Sequence, residues 1–266
     1  MAAVLTSIPD HVRLIGPDEP ADYAFSICTL VSRPEQYATM IESFEAAGFT
    51  GDCEYIAIDN SRDNVFDAFA GYNAFLAEAK GEYVILAHQD LKLEFDRRPA
   101  LEARLRELTA LDPDWGICGN SGGIALGRNA IRISDPHGSD TNQGPFPQRA
   151  VALDENFMVA RRSANLCLSH DLSGFHMYGP DLCLMTQTAG YHCYVVDFHL
   201  RHTSAGTIDA SFRTGVDAFE RKYRRAFRSR WLQTSCAELF LSASPPLRAM
   251  ARSGIARRLG LTTRMS

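Results

Sequence analysis

Residues 74–94 read AFLAEAKGEYVILAHQDLKLE. The middle of this stretch, Tyr83-Val-Ile-Leu-Ala87, is an unbroken apolar run with no 3.6-residue period. A strand covered on both faces reads in that way. It stops abruptly at a polar triplet, His88-Gln89-Asp90. The same arrangement occurs twice upstream. Phe25–Val31 (FSICTLV) ends on Ser32-Arg33, and Glu54–Ile58 (EYIAI) ends on Asp59-Asn60-Ser61. Helical patterns lie between. Tyr37, Met40, Ile41 and Phe44 fall on one face, with Pro34 in the first turn, Ser32 and Glu35 spaced as a capping box, and Gly48 as the stop. A second helix over about 63–79 carries Val65, Phe66, Phe69, Tyr72, Phe75 and Leu76 on one side. Residues 98–111 form a third, before a short apolar strand at Trp115–Cys118. Strand–helix alternation with short connections predicts a mostly parallel central sheet flanked by helices. Ligands of such sheets sit beyond the carboxyl ends of the strands, so Ser32, Asp59, Asn60 and Asp90 are the first site candidates.

The second half is less regular. Residues 119–149 are rich in Gly, Asn, Ser, Asp and Pro and read as a long connection. Residues 150–160 read as a strand with Asp154 and Glu155 at its middle. A helix starts near Phe175–Asp181 and runs to Ala189, with Gly190 as its stop. Residues 193–202 read as a strand with His199 and His202 near its end, 209–240 as helical, and the stretch from Pro245 as an Arg-rich tail. The simplest partition is an N-terminal arm (1–23), one α/β domain (24–207) and a basic helical C-terminal extension (208–266).

Composition narrows the function classes. The chain has 266 residues and a net charge of −5, with no run of about 20 apolar residues that would span a bilayer. The N-terminal stretch lacks a basic region followed by an apolar core, so it does not read as a secretory signal. Seven scattered cysteines, never spaced CxxC, argue against a disulfide framework or a structural zinc site. A reducing, cytoplasmic setting is the expectation. Charge is uneven. From Arg213 onward there are 12 Lys+Arg against 3 Asp+Glu, and the preceding 212 residues carry 15 against 29. The basic segment reads either as a solvated helical face or as a contact with an anionic membrane surface, peripheral at the inner membrane. Nucleic acid is not expected, because the body is acidic and aromatics are not interleaved with the cations.

Three polar points carry the chemistry. Asp59 can accept from a base imide or from ribose hydroxyls, or serve as a turn residue. His88-Gln89-Asp90 offers a carboxylate on a rigid strand end, which is what a divalent cation bridging phosphates requires. His202 can complete such a coordination sphere or meet a phosphate. Asp181 is either a favourable first-turn acid or a general base, and His176, Asp154 and Glu155 are rivals for the base.

These segments, taken in order, resemble a GT-A glycosyltransferase of the family 2-like group. SICTLVSRPEQYATMIESF is similar to its opening strand and helix, YIAIDNS to its base-binding strand end, and AFLAEAKGEYVILAHQDLKLE to the turn and strand carrying its metal motif. LDENFMVARRS resembles the strand before the acceptor region, and FHMYGPDLCLMTQTAGYHCYVVDFHLRHTSAGT the later helix, strand and terminal His segment. The likeness covers about 24–207. It implies a GT-A type, Rossmann-like sheet and the transfer, with inversion, of a sugar from a nucleoside diphosphate, with UDP favoured. The acceptor would be a glycan, glycolipid, lipid-linked carbohydrate or protein, as in polysaccharide biosynthesis, assisted by Mn2+ or Mg2+. It places Thr29, Val31, Ser32, Arg33, Asp59, Asn60, His88, Gln89, Asp154 and Glu155 against the donor, Asp90 and His202 at the metal, and Asp181 and His176 at the catalytic step. The sequence departs from the pattern twice. The metal motif opens with His88 rather than an acid, and Gly179 stands where many members carry the catalytic acid. Alternatives are a catalytically degenerate protein that binds nucleotide sugars or acts as a scaffold, and a nucleotidyltransferase. The latter would need a Gly-rich phosphate loop near Arg33, which is lacking.

Overall fold

The computed structural model describes residues 21–204, 206, 209–235 and 238–252. The chain divides into two compact units, Met1–Gly206 and Thr207–Ser266. In the first unit the order is β1 (Tyr23–Val31), α1 (Pro34–Ala46), β2 (Cys53–Asp59), α2 (Ala68–Glu78), β3 (Gly81–Ala87), β4 (Leu91–Lys92), α3 (Arg98–Leu111), β5 (Trp115–Gly119), β6 (Ser121–Ala125), β7 (Arg128–Asp135), β8 (Gly138–Gln143), β9 (Gln148–Ala150), β10 (Ala152–Leu153), β11 (Phe157–Arg161), α4 (Tyr178–Thr188), β12 (His192–Val195) and β13 (Leu200–His202). The second unit holds α5 (Ala210–Ala226), β14 (Arg230–Gln233), β15 (Glu238–Leu241) and α6 (Pro245–Arg252).

The main sheet has seven strands in the order β2-β1-β3-β11-β5-β12-β9. It is mixed rather than mostly parallel. β2, β1 and β3 run parallel, but β11 lies antiparallel between β3 and β5, and β9 is antiparallel on β12. Side chains alternate across each strand. Phe25, Ile27, Ile85, Phe157 and Val159 pack with Met40 and Phe44 of α1 and Leu101, Leu105 and Leu108 of α3. On the opposite face α2 comes so close that a Cβ at Gly71 would fall 2.6 Å from Leu30 Cδ2. Removing a fully buried ring such as Phe44 from this core would cost about 3–5 kcal/mol.

The expected long connection at 119–149 supplies β6, β7 and β8 of a second sheet, ordered β10-β6-β7-β13-β4 with β8 paired to β7. Its strands escape an apolar reading because β6 is SGGIA and β8 is GSDTNQ, and β8 leaves most residues exposed. The single strand expected at 150–160 is β10, a turn at 154–156 and β11, so both acids sit on the turn. The strand expected at 193–202 splits into β12 in the first sheet and β13 in the second. Ser32 does not cap α1. Arg33 is the cap residue, and no side chain caps the helix. The second helix starts at Ala68, capped by Asp67, which leaves Val65 and Phe66 exposed in the loop before it.

In the second unit the helical reading ends at Ala226, and β14 and β15 form an antiparallel hairpin with Trp231 against Phe240. Most of the expected arm, residues 1–20, lies outside the described residues, as does the Arg-rich tail beyond 252, and β1 already begins at Tyr23.

Candidate active site

The strand register aligns three polar ends. Val31 pairs with Asp59, and Cys28 with Leu86, so β1, β2 and β3 finish at one edge. Because β2 and β3 flank β1, their ends stand about 10 Å apart.

His88, Asp90 and His202 bring one ligand atom each to within 4.8 Å of the others. His88 Nδ1 lies 3.4 Å from His202 Nε2, which lies 3.3 Å from Asp90 Oδ1. Residues 88 and 90 follow β3 directly. His202 arrives from the far end of the domain because β13 pairs antiparallel with β4, setting His202 opposite Leu91. The Thr203 amide and hydroxyl both donate to the Asp90 carbonyl at 3.1 Å, fastening the two segments.

The electrostatics suit a cation. Burial alone would raise the Asp90 carboxyl, but hydrogen bonds from His202 and Ser204 outweigh it and hold the group far below the usual carboxylate range. Burial, aided by His202 and opposed by Asp90, brings His88 down to about 4, so the imidazole is neutral at pH 7. An ionised Asp90 and a neutral His88 are in the states a metal requires of such ligands. Two ligand atoms on a metal at bond lengths near 2.1 Å stand about 3.0–3.4 Å apart, which the His88–His202 and His202–Asp90 spacings match. The donor set therefore fits a divalent ion.

The donor-side candidates divide. Asp59 is exposed. Its side chain accepts from Ser61 N at 2.9 Å, and the Ser61 bonds hold its pKa below the usual value. Val31 stands at the same edge, and its carbonyl takes the Asn60 amide. Arg33 is exposed beside it. Thr29 is fully buried, with its hydroxyl on Met40 Sδ at 3.7 Å, and has no access to a ligand. Asn60 uses its side chain on the Phe66 backbone, accepting at 3.2 Å and donating at 2.8 Å, so it shapes the loop. Gln89 clamps two strand ends. Its oxygen accepts from the Ser32 and Arg33 amides at 2.9 and 2.8 Å, and its nitrogen donates to Ser32 Oγ at 2.8 Å. Ser32 and Gln89 thus serve each other.

Asp181 is a correction. It is fully buried, and both its oxygens accept from Ser169, from the amide at 2.7 Å and the hydroxyl at 2.6 Å. Its role is to anchor α4. His176 is half-buried in the segment before α4. Asp154 is exposed and accepts from Ser121 Oγ. Glu155 turns inward and accepts from Gly179 N at 3.2 Å. Burial first, then the charge of Asp154, pushes its carboxyl up to about 7 against the amides of Gly179, Tyr178 and Met177. Gly179 is required here, since a Cβ would fall 2.5 Å from the Leu153 carbonyl oxygen and 2.9 Å from Glu155 Cγ. Tyr178, which sequence reasoning passed over, places its hydroxyl 2.7 Å from His88 Nε2. No residue pattern announces it, because an aromatic opening a helix ordinarily reads as core.

No family model matches the chain. It is 37% identical over 232 residues to "ATP synthase subunits region ORF 6" of Fuscovulum blasticum, covering 85% of this chain and 92% of that one. The chain belongs to that protein's family. Among solved structures, the mannosyltransferase PcManGT from Pyrobaculum calidifontis, in complex with GDP-Man and Mn2+, matches with a TM-score of 0.50 at 10% identity. The match covers 91% of this chain and 74% of that one. S. aureus TarS 1-349 in complex with UDP-GlcNAc matches at 0.45 and 12% identity, over 69% and 59%. The fold of this family member is one found among glycosyltransferases. None of its described helices is long and apolar enough to cross a membrane.

Proposed function

We propose that the chain is a metal-assisted glycosyltransferase using a nucleoside-diphosphate sugar. The observation that carries this reading is the convergence of His88, Asp90 and His202 beyond the carboxyl end of β3, in a sheet whose β2 end, two strands over, presents Asp59. A divalent ion there would neutralise and orient the diphosphate leaving group. Two imidazoles and one carboxylate favour a first-row transition ion over Mg2+, which is usually held by oxygens and water. Among those ions we take Mn2+, the one present in the PcManGT complex. UDP is the favoured donor nucleotide, with a carbohydrate or lipid-linked acceptor.

In the reaction the acceptor hydroxyl oxygen forms a bond to the anomeric carbon, and the bond from that carbon to the diphosphate breaks. The diphosphate keeps the electron pair, and the acceptor proton passes to a base. Glu155 is our candidate for that base. Its carboxyl, at about 7, lies in the range that serves a general base at neutral pH. Its carbonyl also accepts from Tyr178, the partner of His88. The test is a thermal-shift panel of UDP, GDP, CDP and TDP with Mn2+ or Mg2+. At 100 times Kd a ligand adds about 2.7 kcal/mol. A Mn2+-dependent shift with one base supports the reading, and flat traces overturn it.

We also assign the second unit to an anionic membrane surface, the lipid-linked acceptor's setting. Arg221, Arg224, Arg225, Arg228 and Arg230 are exposed there. So are Phe227 (61%), Leu239 (44%) and Met250 (43%), which is an interfacial combination of charge and apolar groups. Replacing Arg224, Arg225 and Arg228 by Glu should abolish sedimentation with phosphatidylserine vesicles. Unchanged pelleting would sink the idea.

A further inference from the structure

The metal cluster is joined to the start of α4 by a hydrogen bond that decides which nitrogen of His88 is free. His88 Nε2 lies 2.7 Å from Tyr178 Oη, and Tyr178 Oη lies 3.2 Å from the Glu155 carbonyl oxygen. A phenol has one proton, and a carbonyl oxygen can only accept. Both contacts are made together in one arrangement. Tyr178 donates to Glu155, and His88 Nε2–H donates to Tyr178. The lone pair of His88 is then on Nδ1, the atom 3.4 Å from His202 Nε2. We propose that Tyr178 is a positioning residue that holds His88 in the Nε2–H tautomer with its Nδ1 lone pair directed into the His88–Asp90–His202 cluster.

The backbone around Tyr178 is built for that placement. Met177, the residue before it, takes the left-handed conformation at φ 68°, which is strained for a non-glycine residue. The residue after it is Gly179, where any Cβ would strike Leu153. The phenol ring is locked between Tyr72, at 4.9 Å between centroids, and Phe69, at 6.5 Å. Tyr178 is only 3% exposed. A strained residue, an obligatory glycine and a locked ring all surround one hydroxyl, and that hydroxyl meets His88. Orienting partners of this kind tune metal affinity by 10–100-fold when lost.

The inference rests on the metal reading above, and the experiment separates the two. Mn2+ binding to the full chain is titrated by EPR for the wild type and Tyr178→Phe, which keeps the ring and removes only the hydroxyl. Alongside it, the imidazole 15N spectrum of the metal-free wild type is recorded, with His88 assigned by its loss in His88→Asn. Mn2+ affinity should fall 10–100-fold in Tyr178→Phe while its melting temperature stays within a few degrees. The wild-type His88 signal should show a protonated Nε2 and a bare Nδ1, a signature that a merely packing role for Tyr178 does not require. Equal Mn2+ affinity in both proteins, or a wild-type His88 protonated on Nδ1, overturns the inference and leaves the metal site standing. Absence of Mn2+ binding in the wild type overturns the metal reading and this inference with it.

Discussion

His199 and His202 stand three residues apart around β13, and each has a carboxylate within 4 Å. Their surroundings differ. His199 is 5% exposed and stacks on Phe95 at 3.8 Å, with its Nε2 on the Ser134 hydroxyl at 2.9 Å and its amide on Asp96. Its carboxylate neighbour, Asp140, is claimed by Arg132. Its Nε2 and its amide are both taken by protein partners, so the residue is core. His202 faces the His88 imidazole and the Asp90 carboxylate, and one ligand atom from each of the three lies within 4.8 Å of the others. A histidine beside an acid is not by itself a candidate site. Convergence of three ligand atoms is.

Breaking the difference at its strongest point, Asp90→Ala should abolish Mn2+ binding and lower kcat on the order of 1,000-fold, as read by titration and by turnover of the nucleotide sugar identified in the panel. Near-normal turnover would end the metal role. Glu155→Gln should lower kcat about 100-fold or more while Mn2+ and nucleotide still bind. His199→Ala should act in the opposite sense, costing about 2–4 kcal/mol in urea unfolding but leaving Mn2+ affinity within twofold. If metal binding fell with it, the two histidines would not be separable.

Glu155 sharpens the contrast through pH. Its folded pKa is raised from the usual 4.5 to about 7. The protonated group is therefore favoured in the fold, with its stabilising contribution complete below 4.5 and lost as pH rises through 7. The loss amounts to about 3 kcal/mol at pH 8. Glu155→Gln should accordingly gain stability over the wild type at pH 8 and match it at pH 4.5, as seen in paired melting curves. Smallest of all, Asp59→Ala should weaken nucleoside diphosphate about tenfold, or ~1.4 kcal/mol, by calorimetry.

The first half of the fold could be read because its strands are apolar runs closed by polar triplets, and β1, β2, β3 and β5 lie where those runs predict. The antiparallel β11 could not be read, because its buried FMVA pattern is the same whichever way the strand runs. The small sheet was hidden by Gly-rich and polar strands. In the site, Asp59 and Asp90 are legible as strand-end acids, and His202 through the order of segments. Asp181 looked catalytic because sequence shows the acid and not the Ser169 that engages it. Gly179 looked like a loss, yet its space is filled by Glu155 and Leu153. Such contacts across 12 to 26 residues have no periodic signature.

The account's central claim is that two imidazoles and one carboxylate hold a divalent ion. Pulsed EPR of Mn2+ bound to protein carrying 15N-histidine addresses it directly. The account predicts coupling to two imidazole nitrogens, one lost in His88→Asn and the other in His202→Asn. A Mn2+ signal without nitrogen coupling would contradict it.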